Sequence, residues 1–377
     1  MNRVLVRKFV ALEQTVTEVF DFLGFDFVGK KVWVKPNLLA PHPPERSVTT
    51  NPELIRLVVS ELKRRGASQI WVGDNPAGVH KTPLEQYLKP TGVVEAAEGH
   101  FVNPGLEVFN LPLRSRFVPE IPVSGLVQKA DVILNLPVFK THGLTVITGA
   151  VKNIFGIIPG GHKTYLHSVA RNGREFAELL VDIYQAVPIP ILNIMDGIRG
   201  MDGPNGPSGG RVLKLGMVIA SRNAVALDAV MVLLAGGKPE RIPLLQIATE
   251  RGLSPIGQNE IEIAGDFQPI RGFRLPPVEL ASAVSKVSTL IYPLLRRTPH
   301  LNRRRCIQCG ECALNCPVKA INLAPYPVVN RKKCIACFCC AEICPVQAMA
   351  IASLPKSLLL RILGTSVSGA RNEEKES

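Results

Sequence analysis

The sequence predicts an α/β protein: a mainly parallel sheet with helices on both faces, followed by a small C-terminal α+β domain. Three observations carry this. From Val4 to about Gly265, short β-rich apolar runs alternate with helical ones, as strands joined by crossover helices require. All nine cysteines lie between Cys306 and Cys344, so a unit with its own chemistry follows the sheet. A proline-rich and then arginine-rich stretch separates the two. The expected division is an α/β domain at 1–270, a Pro-rich and basic amphipathic linker at 271–303, a cysteine domain at 304–353, and a C-terminal helix and disordered tail at 354–377.

The elements follow in order. Lys31-Val32-Trp33-Val34 reads as a strand. Asn51 then caps a helix that Pro52 begins, with Leu54, Leu57, Val58 and Leu62 on one face and Gly66 as its stop. Further strands are expected at Ile70–Gly73, Asp131–Leu136, Ile189–Ile194, Leu213–Ala220 and Ile261–Ala264. Helices are expected at Thr145–Phe155, Glu175–Ala186, Asn223–Leu234 and Leu244–Arg251. Gln268–Pro277 leads out of the sheet, and Val278–Leu295 has the apolar spacing of an amphipathic helix, with Arg296-Arg297 and Arg303-Arg304-Arg305 behind it.

The cysteine domain is an internal repeat. Cys306-x2-Cys309-x2-Cys312-x3-Cys316-Pro317 recurs as Cys334-x2-Cys337-x2-Cys340-x3-Cys344-Pro345. A disulfide framework would spread its cysteines through the fold, and zinc sites use paired Cys-x2-Cys without this closure. The spacing resembles that of bacterial two-cluster ferredoxins. There, three thiolates of one run hold one [4Fe–4S] cluster and the fourth reaches the other. The resemblance implies two [4Fe–4S] clusters. Cys306, Cys309, Cys312 and Cys344 would hold the first, and Cys334, Cys337, Cys340 and Cys316 the second. Cys339 falls outside the pattern and is expected to be a small buried residue beside a cluster, with a reserve ligand or redox thiol as the alternative.

The formal charge is +13, and two clusters, each adding −2 with its thiolates, would leave it basic at about +9. Anionic substrates, acidic proteins, nucleic acid or anionic lipid all fit that sign. No helix-turn-helix, zinc-finger or RNA-binding signature is present, which argues against nucleic acid. The N-terminus lacks a signal-peptide pattern, and the most apolar stretch, Val212–Leu234, is broken by Lys214, Arg222, Asn223 and Asp228. A cytoplasmic protein without a transmembrane segment is expected. The basic amphipathic linker allows peripheral contact with an anionic membrane, although packing on the α/β domain is the simpler expectation.

Ligands of open α/β sheets bind beyond the carboxyl ends of the strands. Polar residues collect at those positions here: Lys35 and Asn37, Asp74 and Asn75, Lys140 and His142, and Asp196. Between the third and fourth strands lie Lys152, Asn153, Lys163 and His167. Lys35, Asn37, Asn75, Lys152, Asn153 and Lys163 are candidate ligand-binding residues, with an anion as the natural ligand. Asp74, Lys140, His142 and Asp196 are candidate catalytic groups. Two familiar motifs fail. His162 interrupts the P-loop-like Gly156-x4-Gly161-His162-Lys163-Thr164, and no Gly-x-Gly-x-x-Gly fingerprint occurs.

Lys35-Pro36-Asn37, Gly73-Asp74-Asn75-Pro76, Leu136-Pro137-x-x-Lys140-Thr141-His142, Gly149-Ala150-x-Lys152-Asn153-x-x-Gly156, Asp196-Gly197, Gly203-Pro204 and the Asn223–Asp228 helix start resemble the domain of unknown function three-six-two family. The resemblance covers about residues 30–265. It implies an α/β domain of this architecture, often fused to a ferredoxin module, and supplies no substrate. The residues favour an iron–sulfur oxidoreductase that relays electrons from a redox partner protein to an anionic ligand or cofactor in the α/β domain. The alternative is a non-enzymatic electron carrier or assembly factor whose α/β domain docks a partner protein.

Overall fold

Trp33 turns to one face of the sheet while Val32 and Val34 turn to the other, and each face carries its own apolar core. The computed structural model describes residues 2–77, 82–170, 172–277 and 297–352. The expected connector helix Val278–Leu295 and the tail beyond Ala352 lie outside the described residues.

The first half of the chain runs β1 (Arg3–Lys8), α1 (Leu12–Leu23), β2 (Lys31–Pro36), α2 (Pro52–Arg64), β3 (Gln69–Val72), α3 (Leu84–Leu88), α4 (Val93–Ala96), β4 (Val108–Pro112), β5 (Glu120–Ser124), α5 (Leu126–Lys129) and β6 (Val132–Leu136). Then come β7 (Val138–His142), β8 (Val146–Ile147), α6 (Gly149–Asn153), α7 (Gly160–Val169), α8 (Gly173–Ala186), β9 (Ile191–Asp202), β10 (Arg211–Ser221), α9 (Ala224–Leu234), α10 (Pro243–Glu250) and β11 (Glu262–Gly265). The cysteine domain adds β12 (Pro299–Leu301), α11 (Glu311–Leu314), β13 (Ile321–Leu323), β14 (Pro327–Val329), α12 (Cys339–Glu342) and β15 (Met349–Ile351).

The main sheet has the order β11-β1-β10-β9-β6-β2-β3. Strands β9, β6, β2 and β3 are mutually parallel, and β10 runs against both its neighbours. The expected helix-joined alternation therefore breaks at β9–β10. Only a short loop, Gly203–Gly210, separates β9 from β10, and without a crossover the return strand must be antiparallel. Helices α1 and α2 cover one face through Phe20, Leu23, Leu54 and Val58. Helices α8, α9 and α10 cover the other through Phe176, Leu180, Val230 and Leu245. Asn51 caps α2 as expected, its Oδ1 accepting from Glu53 N at 2.9 Å, with Pro52 in the first turn.

Strand β9 outgrows the sheet, and β7 pairs with its outer half, Val138 opposite Asp196 and Lys140 opposite Met201. The β7–β8 extension is the platform on which the cysteine domain sits. Ile351 packs there with Phe338 and Leu144, and a Cβ on Gly143 would lie 2.2 Å from Ile351 Cδ1. Gln347 Nε2 donates to Ser208 O at 2.7 Å, Ile351 N to Asn205 Oδ1 at 3.1 Å, and Arg297 Nη2 to Gly143 O at 2.8 Å. Pro299–Leu301, on the linker side of the expected boundary, pairs with Met349–Ile351.

Candidate functional site

The carboxyl ends of β2 and β3 deliver Lys35 and Asp74 to one point. Their Nζ and Oδ1 are 2.8 Å apart and both side chains are buried. Asp74 Oδ2 also accepts from Leu38 N at 2.9 Å. Gly156 makes the pair possible, since a Cβ there would lie 2.0 Å from Asp74 Oδ1 and 2.3 Å from Lys35 Nζ. Asn75 Nδ2 donates to Gly156 O at 3.0 Å, and Lys163 Nζ donates to Asn75 O.

Helix α6 projects Lys152 and Asn153 toward this point, and Asp228 holds its first turn. The Asp228 carboxylate accepts from Ala150 N at 2.5 Å and Val151 N at 3.0 Å. Gly149 has φ +61, and a Cβ there would lie 2.6 Å from that carboxylate. Beneath α6 a chain of side-chain amides crosses the strand ends. Asn37 donates to Asn153 at 2.7 Å, Asn153 to Asn135 at 2.7 Å, Asn135 to Asn193 at 2.9 Å, and Asn193 to Ser221 O at 3.1 Å. Every buried amide in it has a partner, so the chain fixes the loop rigidly.

Above these residues lies a cavity of about 70 Å³, room for about five water molecules on the measure of 10–15 Å³ each. Asn37, Asp74, Thr148, Lys152, Asn153, Phe155, Gly156, Lys163 and His167 form its wall on the α/β side. Asn315, Cys339, Glu342 and Ile343 of the cysteine domain close it. Among the described residues, no hydrogen-bond or ion-pair partner meets Lys152 Nζ. It stands 5.8 Å and 5.9 Å from the ring centres of Phe155 and Phe176. Thr148 Oγ1 and His167 Nδ1, buried on the wall, have no hydrogen-bond partner among the described residues.

Burial sets the charge states. It lowers Lys152 and pushes Lys163 down to about 7, with Asp74 opposing and Lys35 and Lys152 assisting. Burial also takes His167, stacked on Phe176 at 4.1 Å, down to about 3, so its imidazole is neutral at pH 7. His142 is driven to about 4 by burial, then by Lys152, against the pull of Glu342. Its Nδ1 accepts from Leu144 N at 3.1 Å, so Nε2 carries the proton and faces Glu342 Oε1 at 3.0 Å.

Of the expected site residues, Asn37, Asp74, Lys152, Asn153 and Lys163 line the cavity. Lys35, Asn75 and His142 pack directly behind the wall. Lys140 and Asp196 do not reach it. Lys140 Nζ is committed to Asn37 Oδ1 at 2.6 Å and Val48 O at 2.5 Å. Asp196 accepts from Asn51 N at 2.7 Å and Ile198 N at 3.0 Å, which ties the start of α2 to β9. Both serve the scaffold. Glu342, Thr148 and Asn193 escaped the sequence reading. Cys339 is half-buried on the cavity wall rather than sealed in a core.

The cysteines form cradles of one shape. Gln308, Gly310 and Lys319 have positive φ, and so do Ala336, Phe338 and Gln347, each 28 residues on. Cys306, Cys309, Cys312 and Cys344 line a second cavity together. Cys340 neighbours Cys337, Cys334, Cys312 and Cys316. Backbone N–H groups of Ala320, Ala336 and Ala348 donate to the sulfurs of Cys316, Cys334 and Cys344 at 3.1–3.4 Å, a setting suited to anionic thiolates. Among the described residues no three or more His, Cys, Asp or Glu gather tightly enough for a single metal ion. Four thiols around one cavity fit the donor set of an iron–sulfur cluster.

Residues 32–233 match the family described as Domain of unknown function (DUF362). The chain belongs to that family. Residues 299–322 match the 4Fe-4S binding domain, so this DUF362 protein carries an iron–sulfur electron-transfer module. It is similar to the thylakoid-associated protein sll1697 of Synechocystis sp., 33% identical over 254 residues, which are 64% of this chain and 74% of the relative. A Thermotoga maritima crystal structure from a structural genomics consortium superposes with a TM-score of 0.38 at 15% identity. The match covers 60% of this chain and spans 58% of the other, a likeness too loose to carry an argument. Among the described residues, no helix of this DUF362 protein is long and apolar enough to cross a membrane.

Proposed function

We propose that the protein is an iron–sulfur oxidoreductase that passes electrons through two [4Fe–4S] clusters to a small anionic ligand in the cavity between its two domains. One observation carries the reading: the cavity has one wall of α/β residues and one from the cysteine domain, Asn315 of the first run with Cys339, Glu342 and Ile343 of the second. Cys339, Glu342 and Ile343 on that wall stand between or beside Cys337, Cys340 and Cys344. When bound, the clusters would supply one-electron transfer at that wall.

The chain's own residues define the ligand. Among the described residues, the Lys152 amino group has no hydrogen-bond or ion-pair partner and Thr148 Oγ1 and His167 Nδ1 have no hydrogen-bond partner, while Lys163 offers a second donor. The volume admits an anion of a few heavy atoms, such as a small carboxylate. None of the lining residues is exposed, and that burial strengthens each charge–charge contact. Lys35 and Asp74 neutralise one another and hold the wall in place. Cysteines reserved for clusters favour a reducing compartment, and the cytoplasm is the proposed one.

The test uses anaerobically loaded protein and a panel of small carboxylates and oxyanions, with acetate and phosphate as the first probes, read by thermal shift and calorimetry. Saturable binding that Lys152→Met weakens about tenfold or more, with iron content unchanged, is the expected result. No saturable anion in the panel, or equal affinity in the variant, would refute the anionic ligand.

A further inference from the structure

The two cysteine sets differ in access. The second lies against the α/β domain. The first reaches the surface through Cys309, the exposed cysteine among the described residues. The surface around it has a composition of its own. Ile307 and Leu323 are 61% and 50% exposed, and Val328 is exposed beside them on the β13–β14 hairpin. Leu323 packs against Gly310 in the first cysteine loop, its Cδ1 3.4 Å from where a Cβ on that glycine would be. Ile307, Cys309 and Pro327 share the wall of the first cysteine cavity.

Exposed cations flank this apolar centre. Arg303 lies over Tyr326 at the hairpin tip, 5.4 Å from the ring centre, with Arg304 and Arg305 following it. At the open end of the hairpin, Asn330 N donates to Ala320 O at 2.7 Å, which sets Lys332 and Lys333 near Lys319. Between Arg303 and Lys333 the sequence has one carboxylate, Glu311. An apolar centre inside a charged rim is the anatomy of a protein–protein interface, and a rim of one sign selects a partner of the other.

We propose that this face docks an acidic electron-carrier protein, which exchanges electrons with the chain at the Cys306–Cys309–Cys312–Cys344 end. The proposal rests on the reading of the chain as an electron-transfer protein and adds the site and charge of its partner. In the exchange one electron leaves the reduced carrier and one is taken up by this chain. No bond forms or breaks, and no proton moves.

The probe is an acidic flavodoxin, titrated calorimetrically into the full, anaerobically loaded chain at low and high salt. Reduction of the chain by the reduced flavodoxin is followed separately by stopped flow. Saturable binding that weakens with salt is expected, together with about a tenfold or greater loss in R303E/R304E/R305E and again in K332E/K333E. Reduction by dithionite, which needs no docking, is expected to be unchanged in both variants. That control separates loss of the surface from loss of the clusters. Binding insensitive to salt and to both variants overturns the proposal. So does saturable binding to phosphatidylglycerol vesicles or to RNA with none to flavodoxin. If flavodoxin binds and reduces the chain while no anion binds the inner cavity, the docking surface stands and the ligand reading falls.

Discussion

A methyl group on Gly156 would collide with both members of the buried Lys35–Asp74 pair. Gly156→Ala is therefore expected to cost about 1–3 kcal/mol in urea unfolding from overpacking. Asp74→Asn, which strands Lys35 without its counter-ion, should cost about 3–5 kcal/mol. A glycine effect below that of an exposed Gly→Ala control would show that the backbone simply moves. Lys163 sets a pH dependence. Its folded pKa of about 7 means it is charged below neutrality and neutral above. Around it, Asp74 and Glu342 pull that pKa up, while Lys35 and Lys152 push it further down. An anion favours the charged form, so anion affinity should fall as pH rises through about 7, and Lys163→Met should flatten that window. Affinity constant from pH 6 to 8 in the wild type would remove Lys163 from the site. Most of this chemistry was legible, because Lys35 and Asp74 lie at the carboxyl ends of β2 and β3, and Lys152 and Lys163 lie on the short helices α6 and α7 that follow β6 at the same sheet end. Glu342 was missed. Its signal was a departure from the repeat, since the first run has Leu314 there and exposes it, while Glu342 is buried.

Helix α6 is one and a half turns long and too short to hold itself together in water. Its first N–H groups end on Asp228, a carboxylate that burial raises to about 7 against the two backbone bonds. Removing it in Asp228→Ala leaves two buried donors unpaired, at about 1–3 kcal/mol each. The same variant should weaken anion binding although Asp228 is no part of the cavity wall, because Lys152 rides on α6. Unfolding curves and acetate titrations on one preparation check both effects, and full affinity in a destabilised variant would disconnect the helix from the site. The sequence reading had one helix over Thr145–Phe155. The structure divides it into β8, α6 and a 3-10 turn. The β-branched pair Val146-Ile147 finds a partner in β7, and Gly149 at φ +61 breaks the run. Local propensity could not show that β7 would be there to pair with. The caps at Asn51 and Asn223 act between neighbours in sequence and were readable for that reason.

Across the whole molecule, the α/β domain and the cysteine domain meet through His142 and Glu342, through Leu144 against Phe338, and through the shared cavity. That meeting was out of reach of the sequence, which showed two units and the linker between them. The pairing of cysteines across the repeat was readable only through resemblance, and it makes the sharpest prediction. Eight ligands in two complete sets should hold about eight iron and eight acid-labile sulfide per chain after anaerobic reconstitution. On the proposed pairing each run contributes its last cysteine to the other set, so single replacements should act across the repeat. Cys344→Ser, although it lies in the second run, should perturb the set that Cys306, Cys309 and Cys312 complete beside the exposed face. Cys316→Ser, in the first run, should perturb the set beside the inner cavity. Iron falling toward four in each variant, with different paramagnetic spectra of the surviving centre, is the expected outcome. If Cys344→Ser instead gave the spectrum of a lost inner centre, each run would fold around its own cluster. If zinc were stoichiometric or only four irons bound in the wild type, two-cluster loading itself would fail.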